Sequence, residues 1–293
     1  MKNKVSIVTT TDWTPSAPHT GFIEAAIGSL YSNFPELKTA MWHVYYNRHD
    51  GNNGEKYKRD ANEYLGKPKE EDPYYNNLMT LGKHKCGDNF RVTVYDNYER
   101  GELDYQQAGA LSRAIEDVKT PYVIWMQHDM IIRNTFRFSM PQIYKTLEKY
   151  KHINYIGWNE RPNSRKIGQD KYFIDYDPDI KGIDLCKSSR YSNHPNIIRW
   201  SKMVNDWAPN ICCNPKQLKK GGKAANIETC MWSAYRRSGF NSDWGVYLFG
   251  NEEEEPTMCH SNARPRGMFP RKYLNGGGVT EFFSDAIMSG KLK

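Results

Sequence analysis

Apolar positions along the first 160 residues switch between two periods. Residues 5–9 are β-branched and apolar and end in Thr9, Thr10, Thr11 and Asp12, which reads as a buried first strand with a polar C-terminal edge. In residues 21–34, Phe22, Ile23, Ala26, Ile27 and Leu30 recur at helical spacing, and Pro35 stops the run. Residues 40–46 predict a second strand ending at Asn47, and residues 90–95 a third ending at Asp96. Between them, residues 48–85 are polar and rich in Gly, Asn, Lys and Tyr. They predict a long excursion, helical around 57–65.

Residues 105–118 predict a helix with Ala108, Leu111, Ala114, Ile115 and Val118 on one face. After Pro121, the run Tyr122-Val123-Ile124-Trp125-Met126 has no charged or amide side chain, as a strand covered on both faces requires. It ends abruptly in Gln127-His128-Asp129. A helix over 141–150 and a strand over 153–158 follow. Alternating strands and helices predict an α/β fold with an open, mostly parallel sheet flanked by helices. Ligands of such sheets bind at the carboxyl ends of the strands. Thr10, Asp12, Asn47, Asp96 and the Gln127-His128-Asp129 triplet all fall at such ends.

The second half is less regular. Residues 161–190 read as loop, 196–199 as a short strand, 226–236 as a helix and 244–249 as a strand stopped by Gly250. Beyond His260 the chain is basic and Gly-rich. The division this suggests is a regular half, 1–160, and a less regular half, 161–293, with a C-terminal wrap. At 293 residues the chain can bury a sizeable core without crosslinks. The six cysteines show no C-x-x-C spacing and read as reduced thiols in or near the core. No run reaches the length of a membrane span. Residues 1–8 pass from a short basic tip straight into a strand, without the apolar core of a signal peptide. The expectation is a cytoplasmic protein; its oligomeric state is left open. The formal net charge is +7, with a modest cluster at Lys216, Lys219, Lys220 and Lys223. Such a cluster can meet phosphates, or form a solvated loop.

No G-x-x-x-x-G-K-[ST] loop, G-x-S-x-G elbow or H-E-x-x-H pair occurs, which removes the usual nucleotide-hydrolase, serine-hydrolase and zincin readings. The chemistry centres on Gln127-His128-Asp129. A carboxylate at the tip of a central strand is placed to hold a hard divalent cation, which prefers oxygen ligands, against a diphosphate.

The segment from Ala110 to Asp129 resembles the part of GT-A glycosyltransferases in which a helix leads to a strand and then to the "DxD" metal motif. On that likeness Gln127 takes the first acidic position, Asp129 the last, and Ser112 a place often held by an Asn near the donor. Residues 5–10 resemble the first strand of the same fold, whose end contacts the nucleoside. The resemblance implies a metal site at Asp129 and a late histidine, His260, holding Mn2+ or Mg2+. It implies donor contacts from Thr9, Thr10, Asp12, Asn47, Asp96, Ser112, Gln127 and His128, with a UDP-sugar favoured. Glu228, at the start of the 226–236 helix, becomes the catalytic base of an inverting transfer or, alternatively, a helix N-terminal acid. Asn193, Arg199, Trp200, Trp244 and Arg264 become candidates for the acceptor or the diphosphate. Gln127 stands where the full motif has an acid, so one carboxylate is missing. The expected acceptor is a glycan or lipid-linked glycan; a hydroxylated base of viral DNA, reached by base flipping, is the alternative. A non-catalytic sugar- or nucleotide-binding module and a nucleotidyltransferase are the other readings, the latter short of a Gly-rich basic loop after the first strand.

Overall fold

The computed structural model describes residues 3–12, 18–48, 62–96, 106–134, 136–159, 163, 174–188, 191–192, 194–209, 227, 231, 234–235, 238, 244–251 and 256–260. Its strands are β1 (Val5–Asp12), β2 (Met41–Arg48), β3 (Phe90–Asp96), β4 (Tyr122–Gln127), β5 (Met130–Ile132), β6 (Tyr155–Gly157), β7 (Ile174–Tyr176), β8 (Leu185–Ser188), β9 (Asn196–Arg199), β10 (Val246–Phe249) and β11 (Met258–His260). The longer helices are α1 (Gly21–Asn33), α2 (Pro73–Cys86), α3 (Gln106–Asp117) and α4 (Met140–Lys149).

Nine strands form one sheet in the order β3-β2-β1-β4-β9-β6-β10-β8-β7, and β11 pairs with β5 in a second, small sheet. The β1–β2, β2–β3, β1–β4 and β6–β10 pairs are parallel. β9 runs antiparallel to both β4 and β6, and β8 antiparallel to both β10 and β7. Seven strands therefore point one way and two the other, so the sheet is open and mostly parallel, as the alternating pattern predicts. β9 and β10 come from the second half of the sequence, yet they share this sheet with the first.

The period-2 alternation of side chains divides the core into two layers. Ile7, Trp42, Val44, Ile124 and Met126 belong to one layer, under α1, α2 and α4. Val8, Tyr45, Val123, Trp125 and Ile198 belong to the other, under α3 and the turns around Trp200–Trp207. All five residues from Tyr122 to Met126 are at most 3% exposed, which explains an apolar run with no alternation.

The apolar pattern does not announce α2, the β7–β8 hairpin or the three-residue strands β5 and β11. α2 lies inside the stretch read as an excursion. Its signals were present: Asp72 caps it through Oδ1, accepting from Tyr74 N (2.9 Å) and Tyr75 N (3.3 Å), and Pro73 opens it. Tyr74, Tyr75, Leu78 and Leu81 then bury one face. Interspersed Asn and Lys hid that stripe. The Asp72 carboxyl is pushed above the usual carboxylate range by burial, against the pull of the Tyr46 hydroxyl and the two backbone donors. The β7–β8 hairpin has three- and four-residue strands, too short to show a period.

Gly245 shows where backbones approach most closely. It has φ +57°, and its carbonyl oxygen accepts from Asn154 N (2.9 Å) and Tyr155 N (3.1 Å) as β10 comes alongside β6. A Cβ there is driven into the carbonyl oxygen of His152. Gly245→Ala is expected to destabilise the fold by about 3 kcal/mol or more, combining left-handed strain with a backbone clash. A denaturant midpoint equal to wild type would show that the β6–β10 junction can relax.

Candidate active site at the carboxyl edge of the sheet

The parallel register sets the predicted donor residues along one edge. Asp12 pairs with Asn47, Asn47 with Tyr95, and Thr10 with Gln127. Parity places Thr10, Asp12, Asn47 and Gln127 on the face of α3, the helix that carries Ser112. The same parity places Thr9 and Asp96 on the opposite face. Thr9 is fully buried, and its hydroxyl accepts from Trp42 Nε1 (2.9 Å). Asp96 is fully buried in a two-pronged pair with Arg48, Nε to Oδ1 at 2.7 Å and Nη2 to Oδ2 at 3.0 Å, and it also accepts from Gly66 N (3.0 Å). Arg48 Nη1 in turn donates to Tyr64 O (2.6 Å) and Lys67 O (2.9 Å). This cluster ties the 62–67 segment to the ends of β2 and β3.

Asn47 stands apart. It is 3% exposed, and neither its amide nitrogen nor its carbonyl oxygen has a hydrogen-bond partner among the described residues. A buried polar group left unpaired costs about 1–3 kcal/mol. Two such atoms on one side chain, at the strand end where this architecture receives ligands, offer a donor and an acceptor to a base edge. Beside it, Arg113 from α3 lies over the Tyr95 ring, its Cζ 4.0 Å from the centroid. The sequence reading passed over Arg113, because one Arg on a helix carries no signal until the strand register is known.

Gln127, His128 and Asp129 are half-buried at the tip of β4. His128 Nδ1 lies 3.1 Å from Thr10 O. A carbonyl can only accept, so Nδ1 carries the proton, and in the neutral ring Nε2 keeps its lone pair. β5 follows immediately and is held on two sides. Ser29 Oγ accepts from Ile132 N (3.2 Å), and Asn33 Nδ2 donates to Ile132 O (3.2 Å), both from α1. On its other side β11 pairs Met258 with Ile132 and His260 with Met130. His260 thus lies across the ladder from the residue next to Asp129, although 131 positions separate His260 and Asp129 in the chain. β11 is anchored by Asn159, just past β6: Thr257 N donates to its backbone oxygen (2.9 Å) and Thr257 Oγ1 to its Oδ1. Among the described residues no group of three His, Cys, Asp or Glu converges as a ready metal cage.

The second half contributes through the antiparallel β9. Because β9 runs backwards, its first residue, Asn196, lies at the carboxyl edge, between Trp125 and Gly157. Asn196 is fully buried; its Nδ2 donates to His194 O (2.7 Å), and its Oδ1 has no partner among the described residues. The same reversal takes Arg199 and Trp200 to the other edge. Arg199 pairs with Tyr122, at the start of β4, and donates to Tyr122 Oη (3.0 Å), Leu147 O (2.7 Å) and Ile153 O (3.2 Å). Trp200 Nε1 donates to Val118 O (3.2 Å). Trp244 precedes β10 at that edge too, stacked between Trp207 and Tyr235 at centroid distances of 5.4 and 5.0 Å. These three residues brace the amino edge, away from Asn47 and Gln127. Asn193, Glu228 and Arg264 lie outside the described residues, as does the side chain of His260.

A mostly parallel sheet between two helical layers, with a small two-stranded ladder beside the tip of its central strand, defines the GT-A fold. A structure of the galactosyltransferase LgtC with donor and acceptor sugar analogues is similar over 97% of this chain and 95% of that one, at a TM-score of 0.50 and 10% identity. More distant likenesses are the mannosyltransferase PcManGT from Pyrobaculum calidifontis in complex with GDP-Man and Mn2+ (TM-score 0.43, 9% identity, 99% of this chain, 69% of that chain) and a UDP-glucose pyrophosphorylase complexed with UDP-glucose (TM-score 0.43, 9% identity, 87% of this chain, 92% of that chain). No protein-family model and no curated protein matches the sequence. No described helix is long and apolar enough to cross a membrane.

Proposed function

We propose that the protein is a glycosyltransferase that moves a sugar from a nucleotide-diphosphate donor onto an acceptor hydroxyl. The observation that carries this reading is the β5–β11 register, which sets the His260 backbone across from Met130, the residue after Asp129, close to the tip of β4. Nucleotidyl transfer occurs on the same fold, but it calls for a Gly-rich basic loop after β1, where this chain has Thr10-Thr11-Asp12-Trp13.

In this reading Asn47 reads the base edge with its unpartnered amide, and Thr10, Asp12, Ser112 and Gln127 line the donor crevice on the same face. Asn196 extends that row. Strands lie about 4.8 Å apart, so the three steps from β2 through β1 and β4 to β9 span roughly 14 Å, comparable with an extended nucleotide diphosphate. Asp129 and His260 would hold a divalent cation: a hard carboxylate oxygen suits Mn2+ or Mg2+, and an imidazole nitrogen beside it favours Mn2+ of the two. Such a cation supplies positive charge to the diphosphate as it departs. Glu228 takes the proton of the acceptor hydroxyl as its oxygen bonds to the anomeric carbon and the bond from that carbon to the diphosphate oxygen breaks. A single in-line displacement of this kind inverts the anomeric centre. The acceptor in this reading is a glycan or a lipid-linked glycan.

The test is calorimetric titration with UDP, GDP, TDP and CDP, each with and without Mn2+. One nucleotide is expected to bind, more tightly with Mn2+, and Asn47→Ala is expected to weaken it by about tenfold, the effect of one buried hydrogen-bond pair. If a folded sample binds none of the four, the transferase reading fails.

A further inference from the structure

A second site lies on the other face of the sheet. Lys145 and Lys149 stand one turn apart on α4, and with Lys181, Gln142, Thr146 and Gly182 they line a surface cavity of about 390 Å³. Lys181 comes from a different element, the loop between β7 and β8, which folds back over α4 by burying Ile180 and Ile183 in the same layer as Met140, Ile143 and Leu147. Tyr150 stitches the two together: its hydroxyl donates to Asp179 O (3.1 Å) and accepts from Lys181 N (2.9 Å). Two elements are thus held together so that three lysines line one cavity.

Two of these ammonium groups meet neutral groups nearby: Lys181 Nζ donates to Pro178 O (2.5 Å), and Lys149 Nζ lies 4.8 Å from the centroid of the Tyr150 ring. None of the three lysines has an ion-pair partner among the described residues. Two of the acids nearby are engaged elsewhere. Glu148 accepts from Tyr122 Oη (2.7 Å) and Lys151 Nζ (2.7 Å). Asp177 accepts from Tyr247 Oη (3.1 Å) and Asp179 N (3.2 Å). The Tyr150 phenol has its pKa lowered, first by a hydrogen bond from the Lys149 side chain and then by the Lys181 backbone donor. A lysine in the last turn of a helix is ordinarily explained by the helix dipole, which accounts for Lys149 but not for Lys181. Thr146, only 4% exposed, adds a polar side chain to the lining.

We propose that this cavity binds a phosphate group, with the three lysines as its charge partners. Its volume exceeds that of a lone ion and suits a phosphorylated small molecule or the headgroup of an anionic lipid. It lies in the layer opposite to Thr10, Asn47 and Gln127, so its occupant does not compete with the nucleotide.

The experiment compares wild type with the triple variant Lys145→Gln, Lys149→Gln, Lys181→Gln. One arm is co-sedimentation with phosphatidylcholine vesicles, with and without phosphatidylglycerol. The other is calorimetric titration with glycerol 3-phosphate. All three lysines are exposed, so the variant is expected to fold, and its far-UV spectrum checks this. Binding to phosphatidylglycerol vesicles alone, weakened on the order of 100-fold in the variant, identifies a lipid headgroup; this corresponds to about a fivefold loss per lysine. Binding of glycerol 3-phosphate, lost in the variant, identifies a soluble phosphate ester. Wild-type protein that binds neither probe, or a variant that binds as well as wild type, overturns the proposal.

Discussion

Replacing Asp129 with asparagine is expected to lower sugar transfer by at least a hundredfold while leaving the protein folded. Asp129 is half-buried at the tip of a central strand, so the amide is accommodated without a core defect. What is lost is a negative oxygen at the point where charge must be balanced. Removing one preorganised electrostatic group from such a site costs about 10²–10³ in turnover. Gln127 makes the loss more severe, since it brings no second carboxylate to the triplet. The β5–β11 ladder supplies a sharper readout. His260→Ala is expected to act in the same direction, and the double variant is expected to lose little more than either single change, because in the proposed site both serve one cation. The nucleotide affinities report the same thing: the gain on adding Mn2+ is expected to vanish in each single variant. An Asp129→Asn protein that still turns over within tenfold of wild type sinks the metal assignment.

Arg48→Met is expected to destabilise the fold by roughly 3–5 kcal/mol, among the largest effects of any single substitution here. The guanidinium is 6% exposed and the Asp96 side chain fully buried, so removing the arginine leaves a carboxylate with no counter-charge in the interior. Two further bonds, to Tyr64 O and Lys67 O, go with it, and the 62–67 segment loses its tie to β2. Thermal unfolding is expected to shift down by roughly 10 °C for a chain of this size. The companion variant Arg48→Met, Asp96→Leu separates causes: with both charges gone, most of the stability is expected to return. If Asp96 instead serves the nucleotide, the companion variant recovers stability but not binding, and the two roles divide cleanly.

Much of the architecture is legible in the residues. The β-branched start at Val5, the two-sided apolar run from Tyr122 to Met126, and the helical stripe of Ala110, Leu111, Ala114 and Val118 each state their element because burial selects them position by position. That strand ends would gather ligand residues follows from the same reading, and Thr10, Asp12, Asn47 and Gln127 do line one face of one edge. α2 was legible too, through Asp72-Pro73 and the Tyr74-Leu78-Leu81 spacing, but polar neighbours masked it.

Other features needed the tertiary structure, because strand direction and side-chain parity are properties of pairing. A residue's neighbours along the chain do not say whether its strand runs with or against the next one. The direction of β9 sends Arg199 and Trp200 to the amino edge and brings Asn196 to the carboxyl edge. Parity separates Thr9 and Asp96 from Thr10 and Asn47, although all four read alike as polar strand ends. Asp96 also needed Arg48 across the β2–β3 ladder to show what occupies its carboxylate. The pairing of His260 with Met130, the residue after Asp129, and the meeting of Lys181 with Lys145 and Lys149 depend on contacts closed over long loops, whose ends meet only when the sheet and its layers are assembled. The sequence by itself determined the main strands and helices of the first half and the class of sheet. Folding alone decided which residues face one another across the carboxyl edge, since hydrophobic patterning fixes what is buried whereas pairing fixes what is adjacent.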